Sequence, residues 1–91
     1  MIRVRIQKII WEDKIIKHIK KHDVTVDGAE EVILSDAYIL EGHSRKKILV
    51  NRVGNRILSV VVKMTGNKLR VITARDADKK ERNDLYEFEK F

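Results

Sequence analysis

The chain has 91 residues, which is enough for one hydrophobic core but not for two, so we expect a single domain over residues 1–91. Twenty Lys and Arg against fourteen Asp and Glu give a formal net charge of +6. This surplus favours nucleic acid or another polyanion as a partner, although a well-solvated charged surface would have the same composition. No cysteine is present, which excludes a disulfide framework, a thiol nucleophile and a Cys-based zinc site.

Apolar residues occur in short stretches along the chain. At the N-terminus Ile2, Val4 and Ile6 alternate with polar residues, whereas a signal peptide needs an unbroken apolar stretch. No apolar run approaches the length of a membrane span, so we expect a cytoplasmic protein with no membrane partner. The chain has few amide side chains, one Gln and four Asn, and many charged residues, a composition typical of thermophilic proteins.

The first third of the chain predicts a strand and two short amphipathic helices. Residues 2–10 alternate apolar and polar side chains, as a strand does. Helical spacing follows over residues 12–21, and Thr25 is a natural N-cap for a second helix over residues 26–34. The apolar side chains expected on the inner stripes are Trp11, Ile15, Ile16, Ile19, Val26, Ala29, Val32 and Ile33.

The middle of the chain predicts a four-stranded antiparallel meander over residues 37–41, 46–53, 56–64 and 68–75. Gly54-Asn55 and Gly66-Asn67 suit two-residue type II′ turns, because glycine takes the first turn position. Such turns predict the pairs Val53 with Arg56, Asn51 with Leu58, Thr65 with Lys68, and Leu58 with Arg75. The face expected to take the helices carries Leu49, Leu58, Val60, Val62, Met64, Leu69 and Val71, with Arg75 at its end. The opposite face is mixed in polarity and carries Ile48, Val50, Arg52, Ser59, Val61, Lys63, Arg70 and Ile72.

A third helix should follow the last strand. Asp78 and Glu81 form a capping box at its start, and Leu85 and Phe88 should face inward. The predicted fold is therefore a small α+β domain: strand, helix, helix, four-stranded antiparallel meander and C-terminal helix.

The junction between the last strand and the third helix is the strongest candidate for function. Arg75 stands at the strand end, and three cations follow within seven residues, namely Lys79, Lys80 and Arg82. Guanidinium groups match phosphate oxygens two at a time and keep their charge, so this arrangement suits a phosphate-rich partner. The structural alternatives are that Arg75 anchors the third helix and that the three cations form a solvated helix face.

Two histidines and one glutamate have competing interpretations. His18 and His22 have the spacing of two zinc ligands on a helix, but neighbouring lysines disfavour a dication. No acidic cluster in the sequence suits magnesium, so we expect neither a metal nor a cofactor. His22 suits either a helix-ending structural role or a role at an RNA phosphate. Glu81 is explained by the capping box, with a general base beside Arg75 as the alternative.

Metal-free RNA cleavage would use the substrate's own 2′-hydroxyl, which attacks the adjacent phosphate. The protein would supply a proton acceptor, a proton donor and cations around the developing charge. The side chains able to share these catalytic tasks are His22, Arg75, Arg52 and Tyr86. The candidate RNA-binding cations are Lys21, Arg56, Lys79, Lys80 and Arg82.

Several stretches together form a recognisable pattern: Trp11, His18-Ile19-Lys20-Lys21-His22, Gly54-Asn55-Arg56-Ile57-Leu58, and Arg70-Val71-Ile72-Thr73-Ala74-Arg75 through Lys79-Lys80-Glu81-Arg82 to Tyr86. This pattern resembles BrnT-type toxins over most of residues 9–88. The resemblance implies a RelE-like fold and a metal-independent ribonuclease toxin whose partners are RNA and a small ribbon-helix-helix antitoxin of BrnA type. It is compatible with a toxin–antitoxin heterotetramer. It places the family's Lys-His pair on Lys21 and His22 and its strand-end arginine on Arg75.

The chain departs from the family pattern near Val62-Lys63, where a usual aromatic is replaced, in its longer N-terminal strand, and at two glycine positions. Asp23 replaces the glycine that usually follows Lys-His, so the helix must end through a residue less suited to a left-handed conformation. Asn51 replaces a glycine before Arg52. Two other functions stay open: a module that binds nucleic acid without cleaving it, and an interaction domain whose basic face serves only an acidic antitoxin.

Overall fold

The computed structural model describes residues 8–90, which form a five-stranded sheet and three helices. The strands are β1 (Lys8–Ile10), β2 (Tyr38–Glu41), β3 (Lys46–Val53), β4 (Arg56–Thr65) and β5 (Lys68–Asp76), and the helices are α1 (Asp13–Lys20), α2 (Val26–Ile33) and α3 (Lys79–Glu89). The element order confirms the predicted α+β class. Each end of the four meander strands lies within one residue of its predicted position. Residues 2–7 of the predicted first strand lie outside the described residues.

The sheet is mixed, with the strand order β1-β5-β4-β3-β2. Strands β2 to β5 form the predicted antiparallel meander. β1 adds a parallel edge strand beside β5, with Lys8 opposite Lys68. Periodicity alone predicted the first strand but did not identify its neighbour.

Side-chain caps begin α2 and α3, as predicted. The Thr25 hydroxyl accepts a hydrogen bond from the Gly28 amide at 3.0 Å. At α3, Asp78 accepts from the Glu81 amide at 2.8 Å, and Glu81 Oε1 accepts from the Asp78 amide at 2.9 Å. α1 ends through Asp23 at φ 58°, the left-handed conformation expected where this chain lacks the family glycine.

The register confirms three of the four predicted pairs and corrects the fourth. Gly54 and Gly66 take φ values of 62° and 63° in their turns. Leu58 pairs with Asp76 instead of Arg75, and Arg75 pairs with Ser59. The cause is a β-bulge: Val62 lies opposite Val71 and Val61 opposite Thr73, so β5 has one extra residue, Ile72. The bulge reverses the side of the sheet on which Arg75 lies.

Two cores lie on opposite sides of the sheet, which corrects the expectation that one face takes all the helices. On the face that we call the α1/α2 face, α1 and α2 pack on the predicted residues Leu49, Leu58, Val60, Val62, Leu69 and Val71. On the other, the α3 face, Leu85 packs with Val50 and Ala77 and with half-buried side chains of β2 to β4. Phe88, predicted to face inward, is 45% exposed and touches the ring of Tyr38 at a centroid distance of 5.4 Å. The α3 face is the one predicted to be mixed in polarity. Its apolar side chains at one end are sufficient for α3 to pack on them.

Within residues 8–90, no helix is long and apolar enough to cross a membrane.

Candidate active site

Most of the predicted site residues lie at one end of the sheet. β3 ends there at Val53, β4 begins at Arg56 and β5 ends at Asp76, directly before α3. The turn that closes α1 reaches the same end, because Arg56 donates hydrogen bonds to the carbonyl oxygens of His22 and Asp23. The predicted residues are therefore close in the fold, but they are divided between the two faces of the sheet.

Arg75 and Glu81 form the centre of this site on the α3 face. Arg75 Nη1 and Nη2 donate to Glu81 Oε1 and Oε2 at 2.7 and 3.1 Å. Glu81 Oε1 also accepts from the hydroxyl of Ser59, which is fully buried, at 2.9 Å. The Glu81 side chain is 7% exposed, whereas that of Arg75 is 34% exposed. A buried carboxylate therefore fixes the direction of a guanidinium that still reaches solvent.

The electrostatics of this pair keep both groups charged. Burial raises the pKa of the Glu81 carboxyl, but hydrogen bonds from Arg75, the Asp78 amide and Ser59 outweigh it, so the net shift is downward. The hydrogen bonds to Glu81 raise the pKa of Arg75, against the opposing effect of burial. A carboxylate that stays ionised while accepting four hydrogen bonds from three residues is poorly suited to take a proton as a general base. Both the capping role of Glu81 and the alternative in which Arg75 anchors α3 are thus seen in the geometry.

Arg52 lies on the same face and is held by the last turn of α3. Its Nε and Nη2 donate to the two carboxylate oxygens of Glu89 at 2.8 and 3.0 Å. Its guanidinium lies 5.5 Å from the ring centroid of Tyr86, which is 41% exposed. Hydrogen bonding and the charge of Arg52 lower the pKa of Glu89. The structure therefore brings together Arg52 and Tyr86, which were both predicted as catalytic residues. It also pairs Arg52 with a carboxylate of the same chain, Glu89.

His22 lies on the other side of the sheet end. It is exposed in the turn after α1, and its ring meets that of His18 edge-on at 5.2 Å between centroids. His18 is exposed, and the Trp11 indole donates to Glu30 at 2.8 Å. Lys21 caps α1 and is exposed. Helix-ending and RNA-facing roles both remain open for His22 in this position.

The remaining predicted RNA-binding cations differ in their freedom to bind a ligand. Arg56 donates to Asp76 at 2.9 Å as well as to the two carbonyls that end α1, which makes it a structural tie. Arg82 donates to the Ala77 carbonyl at 2.8 Å, and Lys80 pairs with Asp84 at 3.1 Å. Lys79 is exposed in the first turn of α3. Lys21 and Lys79 are the better candidates for direct contact with phosphate.

Comparison with known proteins identifies the family. The family model described as "Ribonuclease toxin, BrnT, of type II toxin-antitoxin system" matches residues 11–81, which is most of the chain. The chain belongs to the BrnT family. Among solved structures, the 1.1 Å crystal structure of the Brucella abortus ribonuclease toxin BrnT is 29% identical, with a TM-score of 0.66. The match covers 79% of this chain and 97% of that one. A search of curated proteins gives no significant match.

The BrnT family model includes Arg75 and Glu81 but ends before Tyr86 and Glu89. The hydrogen bonds among Ser59, Arg75 and Glu81 therefore lie within the segment that matches the family. The Arg52–Glu89 ion pair, which we call the clamp, includes a residue beyond the matched segment.

Two members of the site escaped sequence reasoning. Ser59 is a lone hydroxyl in the apolar run Leu58-Ser59-Val60-Val61-Val62, and such an interruption is the signal that could have identified it. Glu89 gives no comparable signal, because its partner Arg52 is 37 positions away. In residues 8–90, no three His, Asp or Glu side chains gather as a metal site would require.

Proposed function

We propose that this chain is a metal-independent endoribonuclease toxin in which Arg75 stabilises the charge that develops on the cleaved phosphate. The observation that supports this role is the pairing of Arg75 with buried Glu81, which fixes the guanidinium before substrate arrives. The bonds from Arg75 to Glu81 and to the Asp76 carbonyl use three of its five N–H donors, so donors remain for phosphate oxygens. A cation that needs no reorganisation stabilises a transition state most effectively.

The proposed reaction is attack of the RNA 2′-oxygen on the adjacent phosphorus. The 2′-O–P bond forms and the P–O5′ bond breaks, which leaves a 2′,3′-cyclic phosphate and a 5′-hydroxyl. The proton of the 2′-hydroxyl passes to an acceptor, and a donor protonates the departing 5′-oxygen. We assign one proton transfer to Tyr86, with Arg52 as a second cation beside it. We assign the other to His22, which requires the RNA strand to pass around the end of the sheet, because His22 lies across that end from Arg75. A 2′-deoxy nucleotide at the cleavage site should abolish cleavage, whereas cleavage of that substrate would refute this route.

Independence from metal is proposed because guanidinium groups supply the cationic charge that a metal ion would otherwise provide. Cleavage should survive incubation with EDTA. Loss of cleavage on chelation, restored by added zinc or magnesium, would contradict this part of the proposal.

The proposed protein partner is an acidic ribbon-helix-helix antitoxin of BrnA type. Membership of a toxin–antitoxin family and the +6 charge of the chain support an acidic partner. Binding should raise the melting temperature by mass action and inhibit cleavage, and we expect two copies of each protein in a heterotetramer. Measurement of mass by light scattering tests the stoichiometry. Because the substrate is cellular RNA, we propose that the toxin acts in the cytoplasm.

The decisive experiment is single-turnover RNA cleavage by wild type, Arg75→Ala and the control Arg45→Ala, in which an exposed loop arginine is lost. Arg75→Ala should slow cleavage by orders of magnitude and weaken RNA binding only modestly, which is the signature of a transition-state contact. The control should cleave at the wild-type rate. A folded Arg75→Ala protein with wild-type cleavage would refute the proposed role.

A non-catalytic nucleic-acid-binding module is the second candidate. It is favoured by the carboxylate partners that both Arg52 and Arg75 already have within the fold. That function predicts salt-sensitive RNA binding with no cleavage by the wild-type protein.

A further inference from the structure

The α3 face carries a group of adjacent cations beyond the part covered by α3. Lys46 on β3 lies opposite Lys63 on β4, and Lys63 lies opposite Arg70 on β5. One step further along β5, Lys68 lies beside Lys8 of β1. These five residues form what we call the basic patch, which spans four strands.

The basic patch has little internal compensation. Lys8, Lys63, Lys68 and Arg70 are exposed, and Lys46 is half-buried. In residues 8–90, the carboxylate within ion-pair distance of the patch is that of Glu12, 3.7 Å from Arg70. Residues 1–7 contain no acidic side chain. The patch therefore has a strong positive charge that solvent or a ligand must neutralise.

This arrangement opposes stability, which points to a role in binding. Like charges directly opposite each other on neighbouring strands are destabilising, and the row Lys46–Lys63–Arg70 contains two such contacts. A purely structural face would gain stability if these cations were interspersed with acidic residues. A bound polyanion would offset this repulsion, because each cation would then lie beside a negative charge.

The β-bulge connects the basic patch to Arg75. Arg70 and Arg75 are an odd number of residues apart, so a regular strand would place them on opposite faces. The extra residue Ile72 brings both onto the α3 face. Along β4, Lys63 and Ser59 are four residue steps apart, so the row at Lys63 lies roughly 13 Å from the row at Ser59 and Arg75, a distance that a few nucleotides can span.

We propose that the basic patch binds the RNA strand on one side of the phosphate held by Arg75. This inference rests on the proposed function and deepens it by naming where the substrate lies. RNA fits better than an acidic protein segment because the patch consists of five cations on the same face as Arg75, whereas the core of a protein interface needs apolar anchors. The contacts are to phosphates, so binding here should depend on charge and not on base sequence.

The test compares the double variant Lys63→Ala/Arg70→Ala with Lys17→Ala/Lys20→Ala, in which two exposed cations of α1 are lost. The probe is a 2′-O-methyl RNA 12-mer, which cannot be cleaved through the 2′-oxygen. With about 0.7 of log–log salt slope per phosphate contact, two lost contacts should reduce the slope by roughly 1.4 and the affinity at 0.1 M salt by roughly 25-fold. The patch variant should also melt slightly above wild type, because repulsion is relieved.

The outcomes separate this inference from the proposed function. Wild type that binds the 12-mer but does not cleave ordinary RNA would refute the enzyme and leave the basic patch open to the same binding test. Equal affinity and slope for the patch and control variants would overturn the patch, even if wild type cleaves RNA. A patch variant that loses affinity for the antitoxin and keeps its affinity for RNA would also overturn it. Failure of wild type to bind the 12-mer at low salt would count against both proposals.

Discussion

Glu81→Gln tests whether the buried carboxylate holds Arg75 in place. Glutamine keeps the shape of the side chain and can still accept from Ser59 and the Asp78 amide, so the change removes mainly the ion pair with Arg75. Removing one partner of a buried pair costs ~3–5 kcal/mol, but Arg75 is about one-third exposed, which reduces the cost to ~2 kcal/mol. At 4–8 °C per kcal/mol for a domain of this size, the melting temperature should fall by roughly 8–16 °C.

The pH dependence gives an independent check on the same pair. The pKa of Glu81 is lower in the folded protein than in the unfolded chain, so its ionised form contributes stability above the unfolded value of about 4.3. That contribution is lost as the pH falls through the folded pKa. The difference in free energy of unfolding between wild type and Glu81→Gln should therefore be largest near pH 7 and shrink in acid below about pH 4.

The assay is denaturant unfolding of wild type, Glu81→Gln and Glu87→Gln across this pH range, with RNA cleavage measured at pH 7. Glu87 is exposed on α3 and pairs only with Lys90 at 3.1 Å among the interactions described, so its loss should change stability by less than about 0.5 kcal/mol. If Glu81→Gln unfolds like Glu87→Gln at pH 7, the pair does not fix Arg75.

Three further predictions concern the surroundings of the site. Arg52→Ala should leave the denaturant midpoint close to that of wild type, because its pair with Glu89 is solvent-exposed. A clearly lower midpoint would show that the clamp holds α3. Arg56→Ala should destabilise by about 1–3 kcal/mol, because it removes charged hydrogen bonds that join the end of α1 to β5. Unchanged stability with a lower salt slope for RNA binding would restore the original RNA-binding interpretation. Gly54→Ala should cost ~1 kcal/mol through its φ of 62°, although space is open around it, and an unchanged denaturant midpoint would contradict that strain.

Local rules predicted most of the fold from the sequence. Two Gly-Asn turns set the meander and three of its four predicted pairs, and the Thr25 and Asp78 caps set the starts of two helices. The parallel partner of β1 could not be predicted, because nothing local specifies which edge a distant strand will join. The side taken by α3 was likewise set by tertiary packing of Leu85 and not by the helix's own pattern.

The candidate site was predicted in its residues but not in its geometry. Arg75 stood out because a strand-end cation before a capped helix is visible in sequence. The face of the sheet predicted for Arg75 was wrong, because the bulge at Ile72 has no glycine or other local marker in the sequence. The bonding of Arg75, Ser59 and Glu81 joins residues from β4, β5 and α3, so it follows only once the register is known.

The parallel pairing of β1 with β5 has a consequence for synthesis of the protein. Lys8 and its partner Lys68 are 60 positions apart, so at about 5–20 residues per second β1 waits roughly 3–12 s before the ribosome makes its neighbour. Arg75 and Glu81 are made later still, and the sheet has to close over this long separation before the edge strand is in place. The nascent chain thus contains α1, α2 and the hairpin of β2 and β3 well before it contains the guanidinium–carboxylate pair. Under the proposed function, a ribosome with an unfinished copy therefore holds an inactive one.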